Sequence, residues 1–383
     1  MAKVRLDDVA VEARETWNQD RKDVPVVGLE HLEPDEIWLR QWNVNPDENT
    51  FTKGFKKGQL LFGRRRAYQK KMSLAPCDGI CSGDITVIAA KPEKIVPELL
   101  PFYLRTGAFF DFAMRGSGGS LSPRVKWSHI SDYEFDLPPM DEQKKLAELL
   151  WAANDLKESY KKAITATDEM IKAKFREMFG ECGGQGAEGD RRVSKWPLVR
   201  IAEVVTDVRY GTSKPGDKDG VYAYLRMNNL TDDGGLDLTD LKRITLSGED
   251  FEKCVVRRGD ILFNRTNTKE LVGKTAYYDL DDDMVIAGYI IRIRVDGDKI
   301  DPRYLWKLMN TVELKTKLRH MAKGAIHQAN INAQELQSIE IPFPPLSLQR
   351  EFVAIADKAE SAKANLKKSI AAIDQVMKGL INQ

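Results

Sequence analysis

The 383-residue sequence predicts an α+β fold: two repeated units with strongly curved, mixed sheets, separated by two long antiparallel coiled-coil helices. Three observations lead there. KGQLLF at 57–62 returns as RGDILF at 258–263, about 201 positions later. PPMDEQ at 138–143 returns as PPLSLQ at 344–349, at an offset of 206. After each proline pair the apolar spacing becomes alternating steps of three and four, the periodicity of a helical seam.

The repeat can be followed in order. Each unit opens on a strand-like run, KVRLDDVA at 3–10 and LVRIAEVV at 198–205, the second after WP at 196–197. VVGLEHL at 26–32 and YLRMNNL at 224–230 read as strands entering polar loops. In KGQLLF and RGDILF a glycine turn precedes three apolar residues, a short buried strand. Both run directly into basic or amide-bearing residues, GRRR at 63–66 and NRTNTK at 264–269. GDITVIAA at 83–90 and GYIIRIRV at 288–295 form a further strand pair. VPELLPFYLR at 96–105 and DPRYLWKLM at 301–309 have a proline near the first turn and apolar residues three and four apart, which marks helices. Glycine-containing loops follow, RGSGGSLS at 115–122 and AKGAIHQAN at 322–330, and the units close on YEFDLPP at 133–139 and IEIPFPP at 339–345.

The first long helix is expected over 142–179, roughly 57 Å at ~1.5 Å per residue. Its seam reads Leu146, Leu149, Ala153, Leu156, Tyr160, Ala163, Thr167 and Met170. The offset of 206 carries these to Phe352, Ile355, Ala359, Ala362, Leu366, Ser369, Ile373 and Val376 in a second helix over 348–380. Small residues such as Ala153, Ala359 and Ala362 let helices approach closely, and no proline or glycine interrupts either run before Gly379. Mutual packing of the two is expected, with Leu146, Leu149, Ala153, Leu156 and Tyr160 facing Phe352, Ile355, Ala359, Leu366, Ile373 and Val376. The glycine-rich stretch GECGGQGAEGDRR at 180–192 reads as a linker. The expected organisation is a first unit at 1–140, a helix at 141–180, a linker at 181–195, a second unit at 196–345 and a helix at 346–383.

Composition excludes several classes. Hydrophobic content of 42% and charged content of 31% are those of a globular protein. Cys77, Cys81, Cys182 and Cys254 are too few and too irregular for a disulfide framework, and no second close pair completes a zinc site around Cys77 and Cys81. MAKVRLDDVA has no apolar signal core and no run reaches the length of a membrane span, so a cytoplasmic location is expected. GxxxxGK[ST], HExxH and GxSxG are all missing, and His31, His129, His320 and His327 are scattered, so autonomous catalysis is not expected. DLPP at 136–139 is not an aminomethyltransferase motif, since leucine breaks the DPP run.

Binding remains. Net charge is only +1, yet residues 53–71 hold eight lysines and arginines and no acid. Arg64 and Arg265 end the same strand in the two copies, where a guanidinium can fork to guanine O6 and N7 or clamp a phosphate. Either one alone is equally a salt bridge or a solvated turn; it is the pairing that favours function. Asn264, Asn267 and Thr268 offer groups suited to base edges, while Arg65, Arg66, Lys70 and Lys71, with Lys269 and Lys274 as weaker counterparts, suit phosphates. A second candidate surface comprises Ser120 and Ser122 in the first loop and Lys323, His327 and Gln328 in the second. The copies differ most here, RRRAYQKK against RTNTKELVGK, which points to two different sequences read in one asymmetric, bipartite site on double-stranded DNA.

The ordered set WPLVRIAEVV at 196–205, RGDILFNR at 258–265, VGKTA at 272–276, IPFPPLSLQREFVAIADKAE at 341–360 and AKFREMFG at 173–180 resembles the specificity (S) subunit of type I restriction-modification enzymes over essentially the full chain. Copy one departs from that pattern at GRRRAYQKKMS, 63–73, which is more basic and lacks the GK step. The resemblance implies two target recognition domains docked in the major groove and helical spacers that set the gap between half-sites. It also implies modification (methyltransferase) subunits that methylate adenine N6, and restriction (translocase/nuclease) subunits. S-adenosylmethionine, ATP and magnesium would belong to those partners, with no cofactor on this chain. A stand-alone two-headed DNA-binding protein, a chain serving a modification-only system and a protein scaffold that does not bind DNA stay open.

Overall fold

The central strand of each unit is a short run, apolar at its first three positions and led by a glycine turn, and is buried on both faces. In Leu60–Gly63, Leu60 and Phe62 join one apolar cluster with Ile88, while Leu61 joins another with Val87 and Phe55. In Ile261–Asn264, Ile261 and Phe263 meet Ile291 and Ile293, while Leu262 meets Ala276 and Ile290. Alternate side chains point to opposite faces, so a strand between two cores must be apolar throughout rather than alternating.

The computed structural model describes residues 2–20, 22–44, 50–118, 123–180, 194–325 and 328–381. Contacts divide the chain into two units, Met1–Lys162 with Leu366–Gln383, and Ala163–Asn365. In the first, an antiparallel sheet has the order Ala10–Ala13, Ile85–Ala90, Leu60–Gly63, Met72–Leu74. A second sheet sets Gly79–Cys81 between Val26–Val27, in parallel, and Lys53–Phe55. In the second unit the same order recurs as Val205–Tyr210, Ile290–Val295, Ile261–Asn264, Thr275–Tyr277. Tyr222–Leu225 again runs parallel to its partner, Met284–Ile286. Ala2–Arg5 pairs with Glu134–Leu137, as Leu198–Arg200 pairs with Glu340–Pro342.

The expectation of strongly curved sheets is corrected. The described strands of each unit divide among four separate sheets of two to four strands, and none is a curved sheet. Strands of two to six residues are too short to carry accumulated twist and bending, because turns interrupt them first. The α+β class and the mixed strand directions stand.

The long helices are Met140–Phe179 and Leu346–Ile381. Each follows a proline that cannot continue the preceding strand ladder, and Asp141 and Glu142 favour the first helix's N-terminal dipole. The expected seam is displaced by one residue in the first helix. Leu149, Leu156 and Met170 are 57%, 45% and 50% exposed, Leu146, Ala153 and Tyr160 are half-buried, and Ala147, Leu150 and Asn154 turn inward. In the second helix Phe352 and Ala359 are buried and Ile355, Leu366 and Ile373 half-buried, but Val376 is 59% exposed. Ala147 and Leu150 join the core of the first unit, which rotates the helix by about 100°, one residue's worth at 3.6 residues per turn. Within the second unit the helices run antiparallel: Phe352 packs on Phe175 and Phe179, and Lys363 pairs with Asp168 at 2.5 Å. Within the first, Lys157 pairs with Asp374 at 2.7 Å.

Candidate nucleic-acid interface

In the first unit the buried strand Leu60–Gly63 releases the chain at Arg64, and Met72–Leu74 takes it back. Between them Ala67–Gln69 forms one 3-10 turn bracketed by Arg66 and Lys70, both left-handed at φ 54° and 53°. That conformation is disfavoured for residues with a Cβ and persists only where surroundings impose it. Here Ala67 is the buried anchor, and the Arg66 N–H donates to Pro123 O at 3.0 Å. Arg66, Tyr68, Gln69 and Lys70 are left facing solvent. Lys71 turns inward instead, its Nζ donating to Leu29 O at 2.7 Å.

The first candidate surface of this unit is joined to the segment directly behind the glycine loop. Val125 N–H donates to Arg64 O at 2.9 Å, and Arg65 bridges opposite Arg124. Asp84 accepts from Arg124 Nε at 2.7 Å and from Arg65 Nη1 at 3.5 Å. The Arg124 hydrogen bond, aided by the charges of Arg124, Arg65 and Arg64, holds the Asp84 carboxyl below the ordinary carboxylate range. Arg64 Nε is buried with no hydrogen-bond partner among the described residues. Its side chain lines an open cleft of about 590 Å³ with Lys126 and Trp127.

The second unit repeats the arrangement. Arg265 leaves the end of Ile261–Asn264 with its guanidinium 4.9 Å above the Tyr210 ring and Nη1 3.5 Å from Gly288 O. Its Nε, like that of Arg64, is buried without a partner among the described residues. Thr266–Asn267 pairs with Gln328–Asn330, which pairs with Lys323–Ala325. The loop after the buried strand and the later glycine loop are one surface here, a three-stranded sheet. Tyr210 and Tyr289 flank Arg265 at 42% and 52% exposure.

The other expected residues sort by environment. Asn264 is fully buried: Nδ2 donates to Tyr289 O at 3.5 Å and Oδ1 accepts from Asn267 Nδ2 at 3.2 Å. Asn267 Oδ1 in turn accepts from the Thr268 N–H at 2.9 Å. These amides hold the turn, and Asn264 is withdrawn from any base edge. Lys269 is exposed, Thr268 and Lys274 half-buried. Lys323 and Gln328 are placed by their backbones only. Ser120, Ser122 and His327 lie outside the described residues. Sequence reasoning passed over Arg124, Tyr68, Tyr210 and Tyr289. For Arg124 a signal existed in SPRVK, a basic run directly behind the first glycine loop. Among the described residues no three His, Cys, Asp or Glu side chains gather as metal ligands. No described helix is long and apolar enough to cross a membrane.

The sequence matches the family described as type I restriction modification DNA specificity domain, twice, over residues 1–166 and 194–375. It is 24% identical over 286 residues to the type I restriction enzyme StySPI specificity subunit of Salmonella potsdam (71% of this chain, 60% of that one). It is 22% identical over 310 residues to the EcoKI specificity subunit of Escherichia coli K12 (76% and 65%). A putative type I restriction enzyme MjaX specificity subunit of Methanocaldococcus jannaschii is 27% identical over 191 residues (49% and 45%). The chain thus aligns with 45%, 60% and 65% of the length of these three relatives. In fold it is similar to a type I restriction-modification S subunit from M. genitalium, with a TM-score of 0.58 at 11% identity over 100% of this chain and 95% of that one. A chain from a study of assembly and conformational transition in the type I R-M system gives 0.56 at 21% identity, covering 99% and 96%.

Proposed function

This chain belongs to the type I restriction modification DNA specificity family, and on that premise we propose that it is the non-catalytic, sequence-reading subunit of a multisubunit restriction-modification assembly. In this reading it recognises a bipartite, asymmetric site on double-stranded DNA and directs adenine-N6 methylation and restriction by modification and restriction subunits. Residues 1–140 and 196–345 serve as target recognition domains, 141–180 and 346–383 as spacers, and 181–195 as the linker.

One observation carries the proposal. In both units a buried strand runs directly into an arginine, and the loop it enters is hydrogen-bonded to the later glycine loop in the second unit and to the segment directly behind that loop in the first. A guanidinium fixed at such a strand end, as that of Arg265 is over the Tyr210 ring, suits a planar acceptor pair such as guanine O6 and N7. The scaffold is shared while the side chains on it differ, which supports two unlike half-sites. A net charge of +1 supports help from partner subunits, because phosphate contacts supply much of protein–DNA affinity.

The test is to map N6-methyladenine in DNA from cells carrying this chain with its modification subunit. Two non-identical half-sites at a fixed gap are expected. A single continuous motif, or a methylation pattern indifferent to this chain, overturns the proposal.

A further inference from the structure

Tyr210 ends the edge strand Val205–Tyr210 of the second unit, and its side chain joins Arg265 to a helix start. The Arg265 Cζ stands 4.9 Å from the centre of its ring. At the far end of the ring, Oη accepts from the Ala333 N–H at 2.8 Å. Ala333 opens Ala333–Gln337, whose start is itself held by Asn332: Oδ1 accepts from the Gln334 and Glu335 N–H groups, both at 2.9 Å. The ring is thus tied at one end by its strand and at the other by a capped turn.

Arg265 needs that support beyond its backbone. Its N–H donates to Tyr289 O and its C=O accepts from the Ile331 N–H, both at 2.9 Å. Further out the hold weakens, and Nη1 reaches Gly288 O only at 3.5 Å, the outer limit of a hydrogen bond. An arginine side chain has much rotamer freedom, and freedom given up on binding is affinity lost. A ring against the guanidinium removes part of that freedom beforehand.

The shared scaffold does not require the ring. Tyr210 pairs with Ile291, and Ile291 with Phe263. In the first unit Phe62 pairs with Thr86, and the next step past the Ala13–Val87 pair brings Arg14 to that place. Arg14 turns to Glu12 instead, Nη2 to Oε2 at 2.8 Å, with most of its side chain exposed. The aromatic platform therefore goes with the second head's own reading side chains.

We infer that Tyr210 is the positioning residue of the second head: its ring fixes the Arg265 guanidinium, and with it the strength of preference for the base that Arg265 meets. This rests on the reading of Arg265 as a base contact.

The test uses the full chain assembled with its modification subunits and fluorescence anisotropy on duplexes carrying each base pair at every position of the second half-site. Arg265→Ala first identifies the position it relaxes. Tyr210→Leu is expected to lower the preference there about three- to fivefold, the scale of an exposed cation–π contact, while Tyr210→Phe, which keeps the ring, stays within about twofold of wild type. Tyr210→Ile, β-branched and suited to a strand, gives the same loss as Tyr210→Leu, so a folding defect of one variant does not decide the matter. In the double variant with Arg265→Ala, Tyr210→Leu adds nothing, because the two residues act as one. Preferences in the first half-site and affinity for unrelated DNA stay unchanged. Wild-type preference in both Tyr210→Leu and Tyr210→Ile, at a position that Arg265→Ala does relax, overturns the inference and leaves base reading by Arg265 standing. A loss on all DNA alike, or one that adds to that of Arg265→Ala, also overturns it, since the ring would then serve the fold. If Arg265→Ala relaxes no position, base reading by Arg265 and the role of Tyr210 fall together.

Discussion

Gln143 and Gln349, 206 positions apart, make the same two hydrogen bonds. Gln143 Oε1 accepts from Val96 N–H at 2.9 Å while Nε2 donates to Pro138 O at 2.9 Å. Gln349 Oε1 accepts from Asp301 N–H at 2.8 Å while Nε2 donates to Pro344 O at 2.8 Å. Each amide fastens the start of a long helix to the start of its unit's own helical segment and is at most 3% exposed. The conserved spacing of the two PP motifs to Q within this chain is therefore a joint between head and helix.

Gln349→Leu keeps the volume and removes the joint, leaving Asp301 N–H and Pro344 C=O buried without partners. The expected cost is about 2 kcal/mol, at ~1–3 kcal/mol for each orphaned group with partial relaxation. Urea denaturation followed by tryptophan fluorescence measures it, and Gln143→Leu gives a similar loss in the first unit. A denaturation midpoint equal to wild type in both variants would show that the joint adds no stability.

If the strand-end arginines read bases, Arg265→Ala weakens binding to a site intact in both halves by about 1–3 kcal/mol but leaves binding to DNA with the second half-site scrambled nearly unchanged. Arg64→Ala does the same for the other half. Arg265→Lys does not restore affinity, because an ammonium cannot fork or stack on Tyr210 as a guanidinium does. Fluorescence anisotropy with the assembled complex distinguishes the cases. An equal loss on unrelated DNA would reassign Arg265 to a phosphate.

Arg66 and Lys70 hold left-handed backbone that glycine adopts freely. Arg66→Gly is expected to leave folding stability unchanged or raised by up to about 1 kcal/mol, while weakening DNA binding through the lost cation. Thermal melts and anisotropy on the same preparation read both quantities. Lower stability together with unchanged DNA binding would mean that Arg66 serves the fold alone.

Much of this was legible in the sequence because repeats compare like with like. Strand-end Arg64 and Arg265, the proline starts of both helices and the two loops of each unit all emerge from aligning the chain with itself. The helix seam was not, because Leu149 and Leu150 are adjacent and two apolar stripes satisfy the same three–four spacing. Only the head, by claiming Ala147 and Leu150, decides between them. The burial of Asn264 was equally hidden: a polar residue at a strand end reads as exposed unless its turn partners, Tyr289 O and Asn267, are known. Sheet curvature failed because it depends on how far ladders continue past each turn, a property of pairing rather than of any one segment.

Thiol chemistry offers a check on the small sheet of the first unit. Burial pushes the Cys81 thiol up to about 12, and Cys77 beside the sheet is raised by burial too but is only partly covered. Iodoacetamide at pH 8 should modify Cys77 well before Cys81 and Cys254, since the thiolate is the reacting form. Peptide mass spectrometry over a time course reads the order. Labelling of Cys81 as fast as Cys77 would mean that Gly79–Cys81 leaves its partners readily.

Asp84 is the acid that restrains the basic edge of the first unit, and its removal has a signed consequence. Its carboxyl is lowered in the folded chain, so the stabilisation it gives is fully present above the unfolded value of about 3.9 and is lost as pH falls through the lower folded value. Near neutrality Asp84 therefore stays charged and keeps Arg124 and Arg65 partly occupied. Asp84→Asn should release a cation toward phosphate, tightening binding to unrelated DNA and steepening the log–log salt dependence by roughly one counterion. It should also flatten the dependence of melting temperature on pH in the acid range. Salt titrations by anisotropy and melts from neutrality down to acid check both. An unchanged salt slope would place the Asp84 cluster away from the DNA backbone.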